Sequence, residues 1–281
     1  MSLNAPSRPI LRWHGGKWRL APWIIQHFPP HKVYVEPFGG AASVLLQKPR
    51  ATSEIWNDRD GDLVNLFRVL REQAAELARL VALTPFARDE YDSLYEPAAD
   101  PLERARRFVA RSFMGQSSKG ALLKAGFDTR INPDGFISRV RSLVAVPDEI
   151  ATVAARFSSV VIENDDALAL LARYDRADCL TYVDPPYLDS IGGVYRHGVD
   201  HEALLAALVD LDSMVVLSGY PSDLYDDTLS GWTRLETKAF ADGAHERCEV
   251  IWLNPACADA LGAARHRRAG GQGTPLFEVA R

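Results

Sequence analysis

Three cysteines in 281 residues, Cys179, Cys248 and Cys257, are too few and too scattered for a disulfide framework, and none stands in the CxxC spacing of a zinc site. The setting this implies is a reducing cytoplasm. No apolar run approaches the ~20 residues of a membrane-spanning helix. The longest candidate, Leu204 to Leu217, is broken by Asp210 and Asp212. Met1 to Pro9 lacks the apolar stretch of a secretory signal. None of the seven histidines has ligand spacing, so no metal is expected. Glycine-rich turns occur, but neither the GxGxxG dinucleotide fingerprint nor the GxxxxGK[ST] phosphate loop is among them.

What is present describes an ordinary soluble globule, with 47% apolar and 25% charged residues. That excludes a disordered chain, a coiled coil and a collagen-like repeat, and no internal repeat is visible. The length allows one or two domains. The net charge of -5 argues against a nucleic-acid partner, but its distribution argues for one. Residues 101–145 hold nine basic side chains against three acidic ones, Glu103, Asp128 and Asp134. Such asymmetry is a nucleic-acid signal, although a solvated arginine-rich helix face has the same composition.

Hydrophobic patterning places short strands at Val33–Pro37, Glu54–Asn57, Ser159–Glu163, Cys179–Val183 and Met214–Ser218. Helical patterns fall between them, at Ala41–Gln47, from Leu63 onward, at Ala167–Tyr174 and at His201–Val209. Trp232–Phe240 and Glu249–Leu253 flank the turn Ala241-Asp-Gly-Ala244 and read as a closing antiparallel hairpin. The alternation predicts a doubly wound α/β sheet. It is interrupted between Pro85 and Pro147 by helical patterns and a Gly/Ser/Lys-rich loop, Gly115 to Gly126. The expected organisation is a catalytic domain over 1–85 and 148–255, an inserted, mostly helical lobe over 86–147, and a flexible tail over 256–281.

The sharpest motif is Asp184-Pro-Pro-Tyr187. It follows a strand, at the sheet edge where ligands bind in this fold class. Two prolines fix φ and remove two donors, leaving a carboxylate, prolyl carbonyls and an aromatic ring. Acceptors beside a stacking face suit a planar substrate with an amino group. An aromatic amine is a poor nucleophile because its lone pair is delocalised. Hydrogen bonds from its two hydrogens to Asp184 and the Pro185 carbonyl favour the localised form and stabilise developing positive charge. Tyr187 stacks on the ring, an interaction worth ~1–3 kcal/mol per base.

Three further signals are weaker singly. Val35-Glu-Pro-Phe-Gly-Gly-Ala-Ala-Ser43 lets a ligand approach the backbone ahead of a helix N-terminus. Arg12-Trp-His-Gly-Gly-Lys17 is a glycine turn bearing an aromatic and a cation, residues equally at home in a core and on a surface. Asp58 ends the second strand, where an acid commonly takes ribose hydroxyls, while Asp60 and Asp62 read as helix N-terminal charges.

Together, Trp13-His-Gly-Gly-Lys17, Glu36-Pro-Phe-Gly-Gly-Ala-Ala-Ser43, Asp58 and Asp184-Pro-Pro-Tyr187 resemble the Dam-like DNA adenine-N6 methyltransferases of phage and prophage type, in order and spacing, over about residues 10–255. The resemblance implies a Rossmann-like S-adenosylmethionine-dependent methyltransferase sheet. It implies cofactor contacts from Trp13, Lys17, Glu36, Phe38, Gly39, Gly40, Asp58 and Asp184, with Asp58 on the ribose and Asp166, or its neighbour Asp165, near the cofactor adenine. Asp184, Pro185, Pro186 and Tyr187 become the catalytic motif and the 86–147 lobe the target-recognition region. The family's glycine motif often reads Phe-x-Gly-x-Gly/Ala-Ser; here Ala41 and Ala42 leave the backbone less free.

A duplex adenine is unreachable inside the stack, so it must be flipped out against Tyr187. Arg104, Arg107, Arg111, Lys119, Lys124 and Arg130, with Tyr195, Arg196 and His197, are expected to hold the DNA, and the Gly115–Gly126 loop to enter a groove. The residues alone admit the same transfer to cytosine N4 or to adenine in RNA, and also a non-catalytic nucleic-acid-binding module. Gln272-Gly-Thr-Pro-Leu-Phe277 resembles motifs that dock on the bacterial sliding clamp; a tail folded onto the body is the alternative. A monomer is expected, with double-stranded DNA as partner and no membrane.

Overall fold

A computed structural model describes residues 5–188, 198–240 and 246–270. Seven strands form one sheet: β1 (Val33–Glu36), β2 (Ser53–Asn57), β3 (Val160–Glu163), β4 (Cys179–Val183), β5 (Met214–Gly219), β6 (Thr233–Phe240) and β7 (Glu246–Leu253). Their order is β3-β2-β1-β4-β5-β7-β6. The first five run parallel, while β7 is antiparallel to both β5 and β6. This is the expected Rossmann-like sheet closed by an antiparallel hairpin. Strand order reverses between β1 and β4, which makes their carboxyl ends the topological switch point.

The inner strands β1, β4 and β5 are buried along their whole length and mostly apolar, because both faces of the sheet are covered. Successive residues divide between two cores. Leu180, Tyr182 and Val216 enter one, with Leu66, Phe67 and Phe108; Val183, Val215 and Leu217 enter the other, with Leu204, Leu205 and Leu208.

The helices are α1 (Ala21–Ile25), α2 (Ser43–Gln47), α3 (Gly61–Ala82), α4 (Arg88–Ser93), α5 (Pro101–Met114), α6 (Ser138–Val144), α7 (Val146–Phe157), α8 (Ala167–Tyr174), α9 (His201–Val209), α10 (Asp223–Thr228) and α11 (Pro255–Gly270). Several begin on an aspartate whose carboxylate takes an orphan backbone N–H: Asp60 from Asp62, Asp100 from Glu103, Asp166 from Leu168 and Asp200 from Ala203. No helix among the described residues is long and apolar enough to cross a membrane.

The 86–147 insertion contributes α4, α5, a 3₁₀ turn over Ser118–Ala121 and α6. Ala105, Phe108 and Val109 of α5 are buried in the same core as Leu63, Leu66 and Phe67 of α3, so this segment packs as a continuation of one body. The expected boundary at 147–148 falls inside α7.

The stretch after Pro255 corrects the expected flexible tail, because α11 runs to Gly270 and buries Cys257. Asn254 explains it. Its Oδ1 accepts from the Cys257 N–H at 2.9 Å and from Val215 N–H at 2.9 Å, so one side chain caps the helix and ties it to β5. Asn before Pro is a helix-start signal that the Ala/Arg/Gly composition masked. The Gln272–Phe277 motif lies outside the described residues.

Candidate active site

The carboxyl ends of β1, β2 and β4 open onto a cavity of about 1540 Å³. Its walls bring together Trp13, Lys17, Glu36, Phe38, Gly39, Gly40, Asp58, Asp166, Asp184, Pro185, Pro186 and Tyr187, which are distant in sequence.

The glycine turn is shaped by packing beneath it. A Cβ on Gly39 would lie 2.0 Å from Nε1 of Trp56, a buried side chain wedged against Phe67 and Phe157. Gly40 has φ +48°, and a Cβ there would lie 3.0 Å from Trp13 Nε1. Ala42 also sits in the left-handed region, at φ 56°, where a residue with a Cβ is strained by roughly 1–2 kcal/mol. Ala42 N–H donates to the Gly39 carbonyl at 2.8 Å, which closes the turn into α2.

Asp58 is aimed by this turn. One oxygen accepts from Gly40 N–H at 2.9 Å, the other from Asp60 N–H at 2.8 Å. Each oxygen retains a lone pair for a vicinal hydroxyl. Burial pushes the Asp58 carboxyl up to about 6. Asp60 caps α3, as its position suggests. Asp62 lies in the first turn of α3, as expected, and also receives Arg104 at 2.6 Å and Arg111 at 2.9 Å. Asp166 caps α8 and meets Arg59 at 3.4 Å on the cavity wall. Asp165 turns to Arg173 at 2.6 Å.

Beyond β4, the rigid Pro185–Pro186 step presents Asp184 and Tyr187 to the same space. Lys17 Nζ lies 3.0 Å from Asp184 Oδ1, donates to the Gly15 carbonyl at 2.9 Å and stands 4.6 Å over the Tyr187 ring. Burial pushes the Asp184 carboxyl up to about 6, with the Lys17 ammonium pulling it down and Glu249 adding to the rise. Beneath it, Tyr34 donates to Glu36 at 2.6 Å, and burial drives the Glu36 carboxyl up to about 8. Glu36 is therefore mostly protonated at neutral pH.

Sequence reasoning missed Glu249 and Tyr220. Glu249 is 3% exposed, accepts a hydrogen bond from the Tyr187 hydroxyl and lies 3.5 Å from Lys17 Nζ. The Tyr220 ring packs edge-on to Tyr187 at 4.3 Å. The one sequence signal was a lone acid opening an otherwise apolar strand, Glu249-Val-Ile-Trp-Leu253.

The basic residues divide. Arg104 and Arg111 engage Asp62; Arg107 engages Glu103 at 2.7 Å and the Glu96 carbonyl at 2.9 Å. These arginines tie α5 to its neighbours. Lys124 pairs with Asp92 at 2.7 Å on the surface. Lys119 lines the cavity with Arg12, Arg130, Arg139 and Lys238, of which Arg130 and Arg139 converge on Asp128 at 2.7 and 3.2 Å. The Gly115–Gly126 loop is ordered by the Gly115–Phe127 bridge and by Tyr95 donating to the Gly120 carbonyl at 2.8 Å. His14 Nδ1 lies 3.1 Å from Ser118 Oγ, joining the loop to the Trp13–Lys17 turn. Tyr195, Arg196 and His197 lie outside the described residues.

Comparison with known proteins accords with this geometry. The profile of the family described as D12 class N6 adenine-specific DNA methyltransferase matches residues 13–204. A DNA adenine methylase of Serratia marcescens is 28% identical over 194 residues, covering 64% of this chain and 67% of that protein. The DNA adenine methylase of Escherichia coli K12 is 26% identical over 189 residues, covering 64% and 65%. A DNA N-6-adenine-methyltransferase of Escherichia phage P1 is 32% identical over 73 residues, 26% of this chain and 10% of the phage protein. The alignments span about two thirds of the bacterial relatives' length, and the stretch matched by the family profile contains the Trp13–Lys17 turn, the glycine turn, Asp58 and Asp184–Tyr187. This chain belongs to the D12 class N6 adenine-specific DNA methyltransferase family.

Proposed function

We propose that this chain transfers a methyl group from S-adenosylmethionine to the exocyclic N6 of an adenine flipped out of duplex DNA. The observation that carries the reading is the convergence on one cavity of Asp58, the glycine turn, Lys17 and Asp184–Tyr187, at the switch point of a doubly wound sheet. These residues suit the donor. Asp58 has both oxygens oriented by backbone N–H groups, as a partner for two ribose hydroxyls should. Gly40 removes side-chain bulk from the floor, and Phe38 lines the wall beside it. Trp13, Lys17, Glu36 and Gly39 line the same cavity, and so does Asp166, which supports reading it as a neighbour of the cofactor adenine.

When bound, S-adenosylmethionine supplies a methyl group activated on a sulfonium. The protein's part is placement and electrostatics. Asp184 accepts one hydrogen of the amine and the Pro185 carbonyl the other, which localises the nitrogen lone pair. The Asp184 carboxylate also stabilises the positive charge that grows on nitrogen as the sulfonium–methyl bond breaks, and it is the acceptor in place for the proton the methylated amine then sheds. Tyr187 offers the stacking face, and Pro185 and Pro186 keep the acceptors rigid, so that nucleophile and donor are held in line. Of the cations expected to hold DNA, Lys119 lines the cavity and is the one best placed for a phosphate, since Asp128 holds Arg130 at 2.7 Å.

The test is transfer of labelled methyl from S-adenosylmethionine into unmethylated duplex DNA and into structured RNA, followed by nucleoside analysis. N6-methyladenine in DNA is expected. Label in N4-methylcytosine, or in RNA alone, overturns the reading.

A further inference from the structure

Glu249 lies in none of the motifs that define the site, and the family match ends before it. It reaches the cavity because β7 runs antiparallel to β5, so the amino-terminal part of β7 lies at the carboxyl edge of the parallel strands. We propose that Glu249 is a positioning residue for methyl transfer. Its carboxylate holds the Tyr187 hydroxyl and shares the Lys17 ammonium, so that the Tyr187 ring keeps one plane and Asp184 keeps acceptor capacity for the target amine. The inference rests on the adenine-N6 reading above.

The arrangement is two acids beside the Tyr187 hydroxyl and the Lys17 ammonium, with Ser218 as a third donor to Glu249. Glu249 Oε1 accepts from Tyr187, lies 3.5 Å from Lys17 Nζ and 3.5 Å from Ser218 Oγ. Asp184 lies 3.0 Å from the same ammonium. A carboxylate this deeply buried is costly unless its partners hold it, and these do. The ring it anchors is clamped by Tyr220 at 4.3 Å and by the ammonium at 4.6 Å. With the Glu249 charge removed, Tyr187 and Lys17 both fall to Asp184.

The groups bearing on Asp184 are Lys17 from the N-terminal turn, Tyr187 from its own loop, Tyr182 of β4, Glu36 of β1, Tyr225 of α10 and Glu249 of β7. The tyrosines are neutral near pH 7, and Glu36 is mostly protonated. Among the described residues, Glu249 is therefore the acid that opposes Lys17 at Asp184.

The experiment compares wild type, Glu249→Gln, Glu249→Ala, Tyr187→Phe and the Glu249→Gln/Tyr187→Phe double variant, each checked for an unchanged thermal midpoint. Steady-state methylation of unmethylated plasmid DNA gives kcat and the KM for S-adenosylmethionine across pH, and sinefungin titration gives the affinity of the donor pocket. Glu249→Gln is expected to lower kcat about tenfold with KM and sinefungin affinity within about twofold, as misplacement within a reacting pair does. Its acidic limb should move to lower pH, because Asp184 loses a like charge. Glu249→Ala should lose more, and the double variant should lose less than the product of its single losses. Wild-type kcat with an unmoved limb in both Glu249 variants overturns the proposal, as does strict additivity with Tyr187→Phe. A wild type that transfers no methyl overturns the adenine-N6 reading and this inference with it. An active wild type with indifferent Glu249 variants overturns this inference alone.

Discussion

At the scale of single residues, the site turns on how a buried carboxylate is kept ionised. In the proposed reaction Asp184 must be deprotonated to accept the amine's hydrogens, and its carboxyl is held up near 6 by burial despite the Lys17 ammonium 3.0 Å away. Below that pH the acceptor is lost, so single-turnover methyl transfer should fall about tenfold per pH unit. Stability runs in the opposite sense. A carboxyl raised in the folded state favours the fold below its unfolded value and loses that contribution as pH rises through 6. Thermal midpoints measured beside the rates should therefore separate titration from unfolding: a rate loss below pH 6 with an undiminished midpoint is the expected pattern. The Asp58 carboxyl, also raised to about 6, is proposed to hold the cofactor, so its titration should appear in KM. Asp184→Ala should lower kcat by on the order of 10²–10³-fold, the usual effect of deleting one preorganised electrostatic contact, while DNA binding in a gel-shift assay largely persists. Wild-type transfer by that variant removes Asp184 from the mechanism.

At the scale of elements, the turn between β1 and α2 depends on what lies under it. Gly39 is required because Trp56 occupies the space of a Cβ, and Trp56 is itself confined by Phe67 and Phe157. Gly39→Ala should destabilise the fold by about 1–3 kcal/mol, the usual cost of overpacking, and weaken sinefungin binding as the turn shifts. Denaturant unfolding beside sinefungin titration checks both. The glycine was visible in the sequence; the reason for it was not, since Trp56 read simply as a strand residue. The strands of the sheet were equally visible, because alternation and turn residues are local signals. Helix α11 was not, because Ala/Arg/Gly composition hid the cap that Asn254 provides before Pro255.

At the scale of the molecule, charge placement separates cations that hold the protein together from those that face the cavity. Arg104 and Arg111 converge on Asp62, and Arg107 on Glu103, so the arginine-rich face of α5 fastens the insertion to α3 and to itself. Lys119 lines the cavity, whereas Lys124 pairs with Asp92 on the surface. Lys119→Ala should weaken duplex binding and reduce the slope of log K against log salt by about one, with Lys124→Ala near wild type. Fluorescence anisotropy across a salt series distinguishes them, and equal effects from both substitutions contradict the assignment. Composition had grouped these cations together because counting charges does not show which have partners.

Sequence alone determined the alternation of strands and helices and the switch-point architecture, and it singled out Asp184–Tyr187, Asp58 and the glycine turn as candidate site residues, because each is written in neighbouring residues and their spacing. Tertiary structure alone decided that Glu249 joins them, that Asp62 gathers the α5 arginines, and that Lys119 rather than Lys124 meets the cavity. Those outcomes depend on a strand returning antiparallel and on helices packing across long loops, and long-range pairing of that kind leaves no local periodicity to read.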